Sequence, residues 1–190
     1  MILMKNTKKI ALTGIGTALF VVLSLCLQVP VFQNYYLCLG YIAMVVFLYN
    51  VGTASGTIVG VLGTILYCLL ISGLRGMPGW AIGNIAIGLY LGLYFKMRQI
   101  MIAEKATNAA VIAVMDIAMI AVSTAIGILV LKSVTEVILY GQPFLVRVST
   151  NSTAFIADCV VLWAGIPVAA AVRKALVKMG YIHRTEKKAA

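Results

Sequence analysis

The sequence predicts an all-α integral membrane protein with six transmembrane helices, and three observations support this fold class. Hydrophobic residues make up 63% of the 190 residues, charged residues make up only 11%, and the mean hydropathy is +1.06. A soluble domain carries about 25% charged residues, so too few polar side chains remain here to cover a surface in water. Apolar segments of membrane-spanning length recur along the chain, and basic residues concentrate at the chain ends and in one connection.

Each predicted helix is an apolar segment that approaches the roughly 20 residues needed to cross the hydrocarbon core. The first follows Lys5, Lys8 and Lys9 and resembles a signal peptide. It is long for one and no A-x-A cleavage site follows it, so we interpret it as a retained helix. The predicted helices are 10–27, 36–49, 53–71, 80–95, 107–131 and 151–172; with a basic tail over 173–190 they form one transmembrane domain over 1–190.

The distribution of lysine and arginine predicts which helix ends face the cytoplasm. Most basic residues lie in the two terminal tails and between the fourth and fifth helices, whereas the opposite side holds only Arg75, Lys132 and Arg147. The positive-inside rule therefore places both termini in the cytoplasm. Topology also explains the net charge of +10, and without a nucleic-acid-binding motif we expect no nucleic-acid partner. The longest outer connection, 132–150, is predicted to hold a short interfacial helix.

The missing motifs exclude several classes of enzyme. His183 is the single histidine and lies in the C-terminal tail, which argues against a Ser–His pair and against zinc sites of the H-E-x-x-H type. The sequence has no P-loop, so active transport would take its energy from a partner or from an ion gradient. The cysteines Cys26, Cys38, Cys68 and Cys159 are interpreted as small apolar residues. We expect no catalytic activity, no cofactor and no metal.

Two carboxylates, Asp116 and Asp158, fall near mid-membrane depth in the fifth and sixth predicted helices. A carboxylate there costs at least about 2.5–3.5 kcal/mol on insertion scales, so each should face the bundle interior and have a partner. Four roles remain open: a buried structural hydrogen bond, ligand or ion contact, a proton relay, or an aspartyl protease pair. The G-x-G-D context of such proteases is absent. Asp158 is included among the candidate ligand contacts.

The candidate ligand-binding residues lie in the predicted outer connections and at the adjoining helix ends. Aromatic and amide side chains stack on flat rings and bind their edges, although tyrosine also favours the membrane interface. Arg75, in the turn GLRGMPGW, is suited to an acidic ligand group, to helix carbonyls or to lipid headgroups. Asn84 follows Trp80 by one turn on the same helix face, and Asn151 either contacts ligand or caps the sixth helix. The predicted substrate-binding residues are Gln33, Asn34, Tyr35, Tyr36, Tyr41, Arg75, Trp80, Asn84, Arg147, Asn151 and Asp158.

Small residues at four-residue spacing predict close helix packing. In the third helix Gly56 and Gly60 are interpreted as contacts within the bundle. Ala11, Gly14 and Ala18 form a small face on the first helix, which packs either inside the protein or against a partner protein.

The order of these elements resembles the substrate-binding S component of energy-coupling-factor (ECF) vitamin transporters. The likeness rests on the chain length, the six helices, the small-residue first helix ALTGIGTALF, and the stretch YYLCLGYIAMVVFLYNVGTASGTIVGVLGTILYCLL. In that stretch an aromatic residue and Gly40 precede the second helix, and a glycine-bearing turn leads into the third. Members of the family often carry an aspartate after this glycine, whereas this chain has Tyr41.

The resemblance implies an ECF S-component-like bundle in the plasma membrane of a prokaryote. Such a protein captures a scarce water-soluble vitamin between its outer loops, associates with a membrane coupling subunit and two ATPase subunits, and topples to release the vitamin inside. ATP is then hydrolysed by the partners. Gly14 and Ala18 match the family's A-x-x-x-A spacing, with Ala11 adjacent, and would contact the coupling subunit.

Two other functions stay open. One is a stand-alone proton-coupled secondary carrier or channel that uses Asp116 and Asp158. The other is an intramembrane enzyme acting on lipid or peptide, which requires these two aspartates to lie close together. Among vitamins, the aromatic outer loops favour a flat heteroaromatic ring; a pyridoxine- or pyrimidine-like vitamin is placed first, then riboflavin, with pantothenate and cobalamin also open.

Overall fold

The computed structural model describes residues 6–26, 29–32, 35–71, 73–104 and 107–179, and this part of the chain is almost entirely helical. A π-helical segment (Ala125–Lys132) joins two α-helices without a break, so that 109–140 is one continuous helix. The elements are α1 (Asn6–Cys26), β1 (Val29–Phe32), β2 (Tyr35–Leu37), α2 (Gly40–Asn50), α3 (Thr53–Leu70), α4 (Met77–Ala103), α5 (Ala109–Thr124), α6 (Ser133–Tyr140) and α7 (Phe144–Lys178).

Among the described residues, five helices are long and apolar enough to cross a membrane, which confirms the predicted fold class. The second predicted helix is the exception, because α2 has only 11 residues. It rises about 16 Å, roughly half the hydrocarbon thickness. Nearly all of α2 is buried, and it packs against α1, α3 and α7 at the centre of the bundle. The chain ahead of it forms a short antiparallel ribbon of β1 and β2, where the sequence suggested a loop and a helix start.

The later helices are longer than their apolar segments. Helix α4 covers Met77–Ala103 rather than 80–95, and α7 begins at Phe144 rather than at 151. Most of the predicted outer connection 132–150 is therefore helical, and only 141–143 separates α6 from α7. The separate interfacial helix expected there is replaced by a continuation of α5. Gly141 ends α6 in the left-handed conformation, with φ of 64°.

Glycines allow the helices to approach closely, as their spacing indicates. A Cβ atom on Gly60 would lie 2.5 Å from the Met44 sulfur, so this glycine packs α3 against α2. Gly83 of α4 and Gly127 of the π-helical segment face one another. A Cβ on either would lie 2.6–2.7 Å from the carbonyl oxygen of the other. This contact presses the π-helical segment against α4.

Candidate functional site

A cavity of about 250 Å³ opens between the ends of β2 and α3, the start of α4, the π-helical segment and an inner part of α7. It lies at the end of the bundle that the charge distribution predicts to be outside, which we call the outer end. Its volume is near the lower end of the roughly 300–1,000 Å³ typical of ligand pockets. The cavity is lined by Leu37, Cys38, Tyr67, Cys68, Ile71, Gly73, Gly76, Trp80, Ile128, Lys132, Ala154, Ala157 and Asp158.

The shortness of α2 helps to form this cavity. Leu37, the last residue of β2, and Cys38, two residues before α2, line the cavity. Trp80, in the first turns of α4, contributes an indole to the wall. It meets the Tyr67 ring of α3 edge-on, with 5.8 Å between the centroids and an interplanar angle of 87°. The wall is therefore mostly apolar, with one pair of fixed aromatic rings.

Two side chains of opposite charge also line the cavity. Asp158 of α7 is 5% exposed. Lys132, at the end of the π-helical segment, donates a hydrogen bond from Nζ to Oδ1 of Asn151 at 2.8 Å. The Lys132 Nζ also lies 3.9 Å from Oε1 of Glu136, one turn further along the helix. The cavity thus offers both a carboxylate and an ammonium group in surroundings of low dielectric constant, where such contacts are strong.

A buried polar network lies behind the aromatic wall. The Trp80 Nε1–H donates to the Tyr41 hydroxyl at 2.7 Å, and this hydroxyl donates to Oδ1 of Asn84 at 2.7 Å. The Asn84 amide donates in turn to the Gly60 carbonyl at 3.2 Å and to Oγ1 of Thr64 at 2.7 Å. Trp80 and Asn84 thus lie on the same face of α4, as their four-residue spacing predicts, and both form hydrogen bonds with the Tyr41 hydroxyl.

A second polar cluster closes the outer ends of α6 and α7. The Asn151 amide donates to Oγ of Ser133 at 3.0 Å and to Oε2 of Glu136 at 3.1 Å. The guanidinium of Arg147 lies 3.7 Å from the same Glu136 oxygen. Asn151 is therefore not the cap of its helix. It bridges α7 to α6.

The guanidiniums of Arg75 and Arg147 both lie over the Tyr140 ring, at 5.0 and 6.0 Å from its centroid. The Tyr140 hydroxyl donates a hydrogen bond to the Arg75 carbonyl. This hydrogen bond joins the α3–α4 connection to the end of α6.

The structure distributes the predicted site residues over three layers. Trp80 and Asp158 line the cavity, whereas Tyr41 and Asn84 lie directly behind its wall. The rim at the outer ends of α6 and α7 holds Arg75, Arg147 and Asn151. Asn84 and Arg75 are predicted as ligand contacts, but neither lines the cavity wall. Gln33 and Asn34 lie outside the described residues. Tyr35 and Tyr36 belong to β2, and of these two residues only the backbone is described.

Lys132 and Tyr67 also line the cavity wall and are absent from the predicted site. The sequence predicts a fifth helix that ends at 131 and so places Lys132 in a connection. A helix continued to Tyr140 would have shown Lys132 and Glu136 as an i,i+4 pair on one face. Tyr67 stands in a regular apolar helix and gave no separate signal.

Asp116 lies in a different environment from Asp158. Its carboxylate accepts hydrogen bonds from Arg98, with Nε–Oδ1 at 2.7 Å and Nη2–Oδ2 at 2.9 Å, and from the Tyr94 hydroxyl at 2.6 Å. Arg98 also donates to the Tyr49 hydroxyl at 3.0 Å. The two aspartates thus have different neighbours, because Asp158, on the cavity wall, lies beside Tyr41 and Lys132.

Comparison with known families agrees with this architecture. Residues 4–175 match the family described as ECF-type riboflavin transporter, S component. The match covers α1 and all the elements through most of α7. No curated protein matches the chain.

The family match confirms the resemblance to S components. It identifies a multi-pass protein of the prokaryotic plasma membrane that takes part in vitamin uptake, and the family is one of transporter components rather than of enzymes. This chain belongs to the family of S components of ECF-type riboflavin transporters.

Proposed function

We propose that the chain captures riboflavin in the outer cavity and delivers it to an ECF module. The observation that carries this proposal is the cavity itself, which combines an aromatic wall with one carboxylate and one ammonium group in a member of this family. The family name ranks riboflavin before the pyridoxine- and pyrimidine-like vitamins that the sequence alone placed first.

The chemistry of the flavin ring matches these groups. The isoalloxazine ring is flat and apolar at its dimethylbenzene end, and its other end carries an imide N–H between two carbonyls. The Trp80 indole offers a face or edge for the ring. The Asp158 carboxylate is suited to accept from the imide N–H, and the Lys132 ammonium to donate to a ring carbonyl. The aliphatic and small residues of the wall are left for the dimethylbenzene end.

The ribityl chain belongs at the rim. The cavity of about 250 Å³ is small for the whole vitamin, so the flexible polyol extends toward the polar cluster of Arg147, Glu136 and Asn151. The charged and amide groups of this cluster can replace hydrogen bonds to water by hydrogen bonds to the ribityl hydroxyls. The free energy changes little, because the number of hydrogen bonds stays about the same. In this arrangement the ring supplies most of the affinity.

Helix α1 is the proposed contact with the membrane coupling subunit. Ala11, Gly14 and Ala18 are all exposed on one face of α1. A Cβ atom on Gly14 would meet nothing within 4 Å, whereas one on Gly16 would lie 2.5 Å from the Phe47 ring. The surface at Gly14 is thus unoccupied in the isolated chain, and small residues there allow close approach of a partner helix in lipid. The coupling subunit would bring two ATPases, and toppling of the S component would release the vitamin inside.

The binding experiment uses the purified chain in detergent, stripped of flavin. Riboflavin fluorescence should be quenched on titration, with one vitamin per chain and a nanomolar Kd. Trp80→Ala should weaken binding by at least tenfold because it removes the indole of the cavity wall. Trp163→Ala is the matched control, because Trp163 is 53% exposed on the outside of α7 and does not line the cavity.

Wild-type affinity in Trp80→Ala would show that riboflavin binds elsewhere. Competition separates the vitamins. Excess pyridoxine or thiamin should leave the riboflavin signal unchanged, and displacement by pyridoxine would restore the ranking that the sequence alone favoured.

A further inference from the structure

We infer that Tyr41 and Asn84 are positioning residues that hold the Trp80 indole against the cavity and so set vitamin affinity without contacting the vitamin. This inference rests on the proposed function. The sequence suggested both residues as direct ligand contacts, but neither lines the cavity.

Two hydrogen bonds fix the position of the Tyr41 hydroxyl. The Tyr41 hydroxyl sits between the Trp80 Nε1–H, from which it accepts, and Oδ1 of Asn84, to which it donates, both at 2.7 Å. The indole N–H can only donate, so the Tyr41 hydroxyl presents a lone pair to it, and its own proton goes to Oδ1 of Asn84 or to the neighbouring Asp158 carboxylate. Asn84 is oriented by its own amide bonds to Gly60 and Thr64. The chain of bonds therefore runs from α3 through Asn84 and Tyr41 to the cavity wall.

Burial makes this arrangement rigid. The side chains of Tyr41, Asn84 and Thr64 are 0% exposed. A buried donor or acceptor that loses its partner pays its full desolvation penalty, so alternative rotamers of these side chains are disfavoured. Trp80 is only half-buried, because one side of its ring faces the cavity. The Tyr67 ring packs edge-on against the indole, and the bond from Nε1 to Tyr41 holds its nitrogen edge.

The fraction of chains that hold the indole in the right orientation determines the apparent Kd for the vitamin. If only a fraction of the chains holds the indole in the position that a ligand needs, the apparent Kd rises by the inverse of that fraction. Removing the Tyr41 hydroxyl leaves Nε1–H without its acceptor, and the indole turns toward the cavity or the rim to find water. A fall in the correctly oriented population to about one tenth raises Kd about tenfold.

The first measurement needs no vitamin. The chain has two tryptophans, so Trp163→Phe leaves Trp80 as the single tryptophan, which is excited selectively at wavelengths that tyrosine does not absorb. In this background Tyr41→Phe should lower the fluorescence anisotropy of Trp80 and about double its quenching by acrylamide. Thr64→Val, which removes an acceptor of Asn84 while keeping the side-chain volume, should shift both signals in the same direction. Tyr90→Phe is the control, because Tyr90 is 46% exposed on the same helix as Trp80.

The second measurement separates positioning from direct contact. Tyr41→Phe should raise the riboflavin Kd about tenfold in the wild-type chain and change it less than twofold in a Trp80→Phe background. A tenfold loss in both backgrounds would mean that the hydroxyl acts on the vitamin directly, or through the neighbouring Asp158, and would overturn the inference. Unchanged Trp80 anisotropy in both Tyr41→Phe and Thr64→Val would overturn it as well.

The two measurements keep this inference distinct from the proposed function. A wild-type chain that binds no riboflavin contradicts the proposed function, while the anisotropy of ligand-free Trp80 still decides whether Tyr41 positions the indole. If Tyr41→Phe does not fold, as judged by size-exclusion chromatography in detergent, Thr64→Val carries both measurements.

Discussion

Arg98 of α4 and Asp116 of α5 form a bidentate ion pair, with nitrogen–oxygen distances of 2.7 and 2.9 Å. The pair lies at the end of the bundle away from the cavity. Both side chains are largely buried, with 12% and 6% of their surfaces exposed. The Arg98 guanidinium also lies over the Tyr49 ring of α2, 5.6 Å from its centroid. The pair therefore ties three helices together, and we assign Asp116 a structural role.

Replacing Asp116 by Asn should destabilise the protein without changing the vitamin site. The substitution leaves a buried guanidinium without its counter-charge, which costs about 3–5 kcal/mol for a buried pair. We expect a lower unfolding temperature in detergent, measured by intrinsic fluorescence, and a wild-type riboflavin Kd well below that temperature. In the double variant Arg98→Met/Asp116→Leu, which buries no unpaired charge, much of this stability should return.

The same variant also tests the stand-alone carrier. Proteoliposomes that contain only this chain should show no proton-driven riboflavin flux. If they do show flux, and Asp116→Asn abolishes it while leaving the unfolding temperature intact, Asp116 is a proton relay and the structural assignment is wrong.

Asp158 should recognise the imide edge of the flavin. A hydrogen bond to a charged group contributes about 1.5–3 kcal/mol, so Asp158→Asn should raise the riboflavin Kd roughly 10- to 100-fold. The ligand supplies a matched control. Methylation of riboflavin at the imide nitrogen removes the donor, and this analogue should bind the wild type more weakly than riboflavin but bind Asp158→Asn and the wild type alike. If the methylated flavin binds the wild type as tightly as riboflavin does, Asp158 does not contact the imide N–H.

Apolar segment lengths and loop charges predicted the membrane class, and the four-residue spacing of Trp80 and Asn84 placed both on one face. The local hydropathy pattern could not predict where the helices end, because the helix ends depend on contacts with residues that are distant in the sequence. The chain continues as a helix through Lys132 and Glu136 since Asn151 and Arg147 of α7 satisfy these charges inside the bundle. Arg98 falls in the predicted connection between 95 and 107, but it lies inside the bundle because it forms an ion pair with Asp116 there. The ribbon ahead of α2 likewise has no helical or alternating apolar signal of its own.

Gly14→Leu should separate transport from binding. The leucine side chain would project from α1 at a position where nothing lies within 4 Å in the isolated chain, so folding and riboflavin Kd should stay at wild-type values. In cells or proteoliposomes that contain the ECF coupling subunit and ATPases, riboflavin uptake and co-purification of these partners should both fall at least tenfold. Ala118→Leu, at an exposed alanine of α5, is the matched control and should transport normally. Normal uptake by Gly14→Leu would exclude this face as the docking surface.

Gly127→Ala should weaken vitamin binding from outside the cavity. The added methyl would lie 2.7 Å from both the Gly83 carbonyl oxygen and the Ile87 side chain, so the π-helical segment must move away from α4. Ile128 and Lys132, which belong to this segment and line the cavity, would move with it. We expect a lower unfolding temperature and a riboflavin Kd raised about tenfold, from parallel thermal unfolding and titration experiments. Gly14→Ala, which adds the same methyl in open space, should change neither. A variant at Gly127 that loses stability but binds with wild-type affinity would show that Ile128 and Lys132 hold their places independently of this glycine contact.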